Sequence, residues 1–191
     1  MREKERDMEL ILASGSPRRR ELLSLYTTDF TVCVSDFDES TVTADTPAHL
    51  VEQLARGKCL AVSAQHPGAV VIGCDTVVDV NGEVFGKPHS KEDAKRMLRA
   101  LSGATHEVHT GVCISDGART ESFVDSCRVT FFPLGEEEID FYASTAEPYD
   151  KAGAYAIQGR AALWLDRIEG DYYTIMGLPV SRTVQLLAHF V

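Results

Sequence analysis

The chain has 191 residues with a formal net charge of −10, and 44% of the residues are apolar. A chain of this length can bury about 70% of its unfolded surface and needs no disulfide crosslinks. Its acidity argues against a broad nucleic-acid-binding face, which would be basic, and no apolar run approaches the roughly 20 residues of a membrane-spanning helix. The five cysteines include no Cys-x-x-Cys pair, so we expect reduced thiols in the cytoplasm rather than a disulfide framework or a zinc site.

The first seven residues, Met1 to Asp7, are mostly charged and have no apolar core, which predicts a short solvated extension rather than a secretory signal. Residues 8–191 contain no internal repeat and no obvious linker, so we expect one domain. Strand-like and helix-like segments alternate within it, which favours an α/β or α+β architecture.

Apolar periodicity, turn residues and helix caps predict the order of the elements. In chain order we expect a strand at 10–13, a helix from Ser16, a strand at 30–35, a helix from Pro47 to about Ser63, a strand at 69–80 with a hairpin return at 83–85, a helix after Ser90, strands at 106–115 and 118–132, a helix at 135–144, a hairpin of 163–168 with 172–176, and a last helix from Pro179.

The first candidate site is the segment Ser14-Gly15-Ser16-Pro17-Arg18-Arg19, which follows the first strand. A helix N-terminus prefers acidic residues, because its dipole is positive there. Arginines in the first turn therefore indicate either a solvated basic turn or an anion site, in which free backbone N–H groups and guanidinium groups bind phosphate. The segment is not a Walker loop, since it lacks the Gly-Lys-Ser/Thr ending.

The second candidate is Asp75, which lies inside the apolar run from Val70 to Val78. A carboxylate buried there must be paired, protonated or bound to metal. Asp75 could instead face solvent, but both faces of the predicted strand are apolar, so we favour a functional role.

Two lysines could accompany these groups. Lys58 falls on the predicted apolar face of its helix, with Leu50 and Leu54, where it either contacts a ligand or extends its ammonium group to solvent. Lys87 follows the hairpin and should return towards the strand that carries Asp75, although an ordinary loop lysine is equally consistent with its position.

Further polar groups cluster in two loops. Asp36, Asp38 and Glu39 form either a solvated acidic loop or a site for a hard metal ion such as Mg²⁺. Residues 147–159 mix charged, aromatic and small residues without periodicity, which is typical of a binding loop, and Gln158 there could contact a nucleobase. His106 and His109 lie on opposite faces of a strand and make a poor metal pair.

These segments together resemble the Maf family of nucleotide pyrophosphatases. The matching pieces are Leu12 to Arg19, Gly73 to Val78, Gly86-Lys87-Pro88, Ser102 to Val112, Asp150 to Gly159 and Gly177-Leu178-Pro179. Their order and spacing span nearly the whole chain from Met8 onward, so the combined pattern is specific although no single motif is.

The resemblance implies an α/β fold, a mixed twisted β-sheet flanked by helices, elongated and two-lobed with a central cleft, related to the inosine-triphosphate pyrophosphatases. It implies a hydrolase that cleaves the α–β phosphoanhydride of a nucleoside triphosphate with Mg²⁺ or Mn²⁺, and a homodimer. The motifs look most like the branch that acts on dTTP and UTP, whereas a sister branch prefers 7-methyl-GTP. A regulator of cell division that senses nucleotides without essential catalysis is the alternative from another class.

The resemblance also implies roles for individual residues. Asp75 would be the proton acceptor and, with Glu39, a metal ligand. The specificity positions would be Arg18, Thr76 and Gln158, and the phosphate contacts Ser14, Arg19, Lys58 and Lys87. Cys74, Arg160-Ala161-Ala162 and Thr174-Ile175-Met176 depart from the usual family pattern, which affects the pocket wall more than the reaction.

Overall fold

The computed structural model describes residues 8–190. The predicted extension at residues 1–7 lies outside these described residues. A seven-stranded mixed sheet has the order β2-β1-β3-β5-β6-β7, with β4 paired to β3. Its strands are β1 Leu10–Ala13, β2 Thr31–Val32, β3 Val70–Val80, β4 Glu83–Phe85, β5 Thr105–Ser115, β6 Thr120–Phe131 and β7 Leu165–Glu169. β1 is parallel to β2 and β3, and the other pairs are antiparallel.

Six α-helices flank the sheet in the described part of the chain. They are α1 Pro17–Leu23, α2 Pro47–Gln65, α3 Lys91–Leu101, α4 Glu136–Tyr142, α5 Tyr172–Met176 and α6 Val180–Leu187. The predicted caps begin α2 and α3, since the hydroxyls of Thr46 and Ser90 accept hydrogen bonds from His49 N and Asp93 N. The predicted α/β class and the mixed sheet with flanking helices are therefore confirmed. Among residues 8–190, no helix combines the length and the apolar character needed to cross a bilayer.

The sheet has a separate apolar layer on each side. The larger layer includes Leu12, Ile72 and Leu98, and the smaller one includes Ile11, Val71 and Cys59. Alternate residues of β1 and β3 thus enter opposite layers, as expected for a sheet that is covered on both faces.

Two sequence predictions were wrong in detail. The segment predicted as the second half of a hairpin, residues 172–176, is helix α5. The Asp171 side chain caps it by accepting from Tyr173 N, and Gly177 ends it at φ 102°. These caps outweigh the strand propensity of the tyrosines and Ile175. The second predicted strand shortens to the two residues of β2.

Candidate active site

A gap along one edge of β3 forms the candidate site. β1 pairs with that edge up to Gly73, and β4 pairs with it from Val78 onward. Between them Asp75 and Thr76 have no neighbouring strand on that side, while β5 pairs along the other edge. A cleft of about 1460 Å³ opens at the gap. All nine predicted site residues line it: Ser14, Arg18, Arg19, Glu39, Lys58, Asp75, Thr76, Lys87 and Gln158.

Asp75 is paired with a lysine inside the cleft. Lys58 Nζ lies 2.6 Å from Asp75 Oδ1 and 3.0 Å from Glu39 Oε1. The Lys58 and Asp75 side chains are only 15% and 13% exposed. Leu54 is buried beside them, but the fully covered face of α2 carries Val51, Ala55 and Cys59. Lys58 is therefore directed into the cleft along the border of that face rather than lying within it.

Two glycines bring Lys58 close to Asp75. A Cβ atom on Gly73 would lie 2.5 Å from Ala55 O, and one on Gly111 would lie 2.3 Å from Val51 O. Both glycines are therefore required for the backbone of α2 to approach β3 and β5 this closely.

A third glycine anchors the loop that carries Glu39. A Cβ on Gly57 would lie 2.3 Å from the Phe37 ring, so this ring packs directly on the backbone of α2. The neighbouring Asp38 side chain accepts from Ser40 N and Ser40 Oγ, which lowers the pKa of Asp38. Asp38 thus caps a short 3-10 turn, and Glu39 is the member of the predicted acidic cluster that contacts Lys58.

Arg19 donates hydrogen bonds to four residues around the cleft. Its Nε donates to Gly177 O at 2.8 Å, and its Nη1 donates to Ser14 Oγ and Cys74 O at 3.0 Å each. Its Nη2 donates to Thr76 Oγ1 at 3.1 Å. Four of the five N–H groups of a guanidinium are accounted for by these contacts, so Arg19 holds the cleft wall together and keeps one N–H for a ligand.

Arg18 and Lys87 extend the positive charge along the cleft. Arg18 Nη1 lies 3.7 Å from Asp150 Oδ2, and burial lowers the pKa of Arg18 while Asp150 opposes that shift. Asp150 is also paired with Lys151. Lys87 is exposed. Lys87 was expected to return towards the strand that carries Asp75; it lines the same cleft as Asp75, while Lys58 makes the direct contact with that carboxylate.

The loop with Gln158 is held by buried aromatic groups. Tyr155 OH lies 2.9 Å from His106 Nε2, and burial lowers the pKa of His106 to about 4. Glu147 Oε1 accepts from Arg160 N at 2.9 Å. Gln158, between these anchors, is exposed at the cleft.

A second polar cluster lies on the sheet and was missed from the sequence. His109 Nε2 lies 3.4 Å from Asp79 Oδ2 and 3.5 Å from Glu107 Oε2. The prediction that His106 and His109 face opposite sides is confirmed, since His106 enters the aromatic layer around Phe131. The cluster could have been found only by pairing β3 with β5, which places Asp79 opposite Glu107.

The cleft suits a polyanion. Arginine and lysine side chains line it. The carboxylates of Asp75 and Glu39 lie among them, and both contact the Lys58 ammonium group. Two convergent carboxylates are a donor set that fits Mg²⁺ or Mn²⁺, which accept one or two carboxylates together with waters and phosphate oxygens.

Known proteins are similar to this chain over nearly its whole length. The family model described as Maf-like protein matches residues 9–190. The chain is 52% identical to a dTTP/UTP pyrophosphatase of Symbiobacterium thermophilum, over 95% of this chain and 94% of that protein. It is 49% identical to a dTTP/UTP pyrophosphatase of Bacillus velezensis, over 95% of this chain and 96% of that protein. A HAM1 protein from Coxiella burnetii has a similar fold, with a TM-score of 0.50 at 13% identity over 95% of this chain and 99% of that one. The chain belongs to the Maf family.

Proposed function

We propose that this protein hydrolyses dTTP and UTP to the monophosphate and pyrophosphate. The observation that carries the proposal is the Asp75 carboxylate, held by Lys58 at 2.6 Å in a cleft lined by further cations. Two relatives at 49–52% identity bear the name dTTP/UTP pyrophosphatase, which supports the pyrimidine branch over 7-methyl-GTP.

In the proposed reaction a water molecule attacks the α-phosphorus. A new bond forms between the water oxygen and phosphorus, the bond to the bridging oxygen breaks, and pyrophosphate leaves with that electron pair. Asp75 accepts a proton from the water as general base. Lys58, Lys87 and Arg19 oppose the negative charge that increases on the phosphate oxygens, a contribution that is often the largest in catalysis.

Glu39 and Asp75 would hold the divalent metal ion, Mg²⁺ or Mn²⁺. When bound, such an ion neutralises phosphate charge and orients the triphosphate. Both carboxylates also contact Lys58, so a bound dication would share them with the ammonium group, and that group could then contact phosphate as well. Ser14 would add a hydroxyl contact to phosphate.

Base selection would depend on Arg18, Thr76 and Gln158, which line the same cleft as Asp75. A site with fixed polar groups rejects a base that leaves them unpaired. These residues should therefore distinguish a pyrimidine from a purine.

The deciding experiment is pyrophosphate release from dTTP, UTP, CTP and 7-methyl-GTP with Mg²⁺ and with Mn²⁺. We expect the fastest release from dTTP and UTP and loss of release in EDTA. Faster hydrolysis of 7-methyl-GTP would assign the chain to the sister branch. Saturable binding without release would favour the nucleotide-sensing regulator.

We also propose a single domain over residues 8–191, a homodimer and a cytoplasmic location. The family match over residues 9–190 supports the first. The thiols at Cys33, Cys59, Cys74, Cys113 and Cys127 are free, which suits a reducing compartment. The net charge of −10 gives no support to nucleic-acid binding.

A further inference from the structure

Two hydrogen bonds in series lead from a threonine hydroxyl at the cleft to a buried backbone carbonyl. Thr76 Oγ1 lies 2.8 Å from Thr110 Oγ1, and Thr110 Oγ1 lies 2.8 Å from Thr174 O. Thr110 is fully buried, on β5, whereas Thr76 is partly exposed and lines the cleft.

The distances fix the direction of these hydrogen bonds. A threonine hydroxyl has one proton and two lone pairs. Thr174 O is a carbonyl and can only accept, so the Thr110 proton must point to it; otherwise two bare oxygens would face each other at 2.8 Å in a dry interior. Thr110 can then only accept from Thr76, and the single proton of Thr76 is directed inward.

Arg19 donates a hydrogen bond to the same oxygen, Thr76 Oγ1. Its Nη2 donates to Thr76 Oγ1 at 3.1 Å, which occupies one of the two lone pairs. Thr76 therefore has no proton for a ligand in the cleft, and one lone pair remains.

We propose that Thr110 is a positioning residue for base selection, because by accepting the Thr76 proton it leaves Thr76 able only to accept from the base. The proposal rests on the dTTP and UTP pyrophosphatase function proposed above. A uracil or thymine base carries an imide N–H at N3 and can donate to Thr76. Cytosine has a bare nitrogen at N3, which would face the Thr76 lone pair, so CTP should be a poorer substrate than UTP.

The test compares Thr110→Val, which has the same shape without the hydroxyl, with Thr110→Ser, which keeps it. In T110V the Thr76 hydroxyl loses its acceptor on β5, so its O–H can rotate and donate into the cleft. We expect the ratio of kcat/KM for UTP over CTP to fall by about tenfold or more, and T110S to keep the wild-type ratio. A merely structural residue would lower kcat/KM for both nucleotides and leave the ratio unchanged, and that result would overturn the proposal.

Two additions keep the test decisive. If T110V does not fold, Thr110→Ala replaces it. The double variant T76V/T110V should show no further change in the ratio beyond T76V, because Thr110 acts through Thr76; a further change would also overturn the proposal. Binding of UMP and CMP to the same variants gives the ratio without turnover. A protein that hydrolyses no triphosphate would refute the proposed function, while the UMP to CMP ratio would still decide the role of Thr110.

Discussion

Lys58 and Asp75 form a close ion pair, with Nζ 2.6 Å from Oδ1, although one lies on α2 and the other on β3. The pair exists because Gly73 and Gly111 let the helix backbone approach the sheet. A carboxylate held in this way is oriented before a ligand arrives, which reduces the reorganisation needed for proton transfer.

Replacing Asp75 with Asn should abolish catalysis and preserve ligand binding. The amide keeps the shape and can still face Lys58, but it cannot accept a proton from water. We expect kcat to fall by about 10³-fold, with the dissociation constant for UTP changed by less than about tenfold. Pyrophosphate release and calorimetry measure the two quantities. Asp79→Asn, on the same strand, is the matched control and should retain activity; wild-type turnover in D75N would exclude Asp75 as the base.

Replacing Lys58 with Met should destabilise the fold and also abolish the activity of the protein. The variant leaves Asp75 largely buried without its partner, and we expect a loss of about 2 kcal/mol in the free energy of unfolding, measured in urea. K58M/D75N should recover part of that loss, because neither charge then remains. Equal stability of K58M and wild type would show that the pair contributes nothing to folding.

Local patterns were sufficient to predict much of this site. The segment from Ser14 to Arg19 could be identified from its helix start, and Asp75 from the apolar run around it. The gap in the edge of β3 could not be predicted, because it depends on where β1 and β4 stop pairing with that edge. Such register is decided by contacts distant in sequence.

The interactions of Arg19 and Lys58 could not be predicted from the sequence either. Arg19 was expected to contact phosphate, but most of its donors bind Gly177, Cys74 and other wall groups, which no local pattern indicates. Lys58 was expected on the apolar face of its helix. Its direction into the cleft results from the close approach of α2 to the sheet, which Gly73 and Gly111 permit together.

Replacing Gly57 with Ala should impair metal use without unfolding the protein. The added methyl would collide with the Phe37 ring at 2.3 Å and displace the loop that carries Glu39. The ring can move, and alanine favours a helix over glycine by about 1 kcal/mol, so the melting temperature should hardly fall. We expect a higher Mg²⁺ concentration for half-maximal activity, by about fivefold or more. Glu39→Gln should act in the same direction; an unchanged Mg²⁺ requirement in G57A would show that Phe37 does not position Glu39.

Protonation of His106 should make the protein less stable in acid. Burial lowers its pKa to about 4 in the folded state, whereas the unfolded chain has an ordinary value of about 6.5. Between these values the unfolded chain binds more protons, so the free energy of unfolding falls as the pH decreases, by up to about 3 kcal/mol in all. His106→Gln should flatten this slope in urea titrations across that window, and the exposed His49→Gln should keep it. If the slope were the same in H106Q and wild type, another group would cause the acid sensitivity.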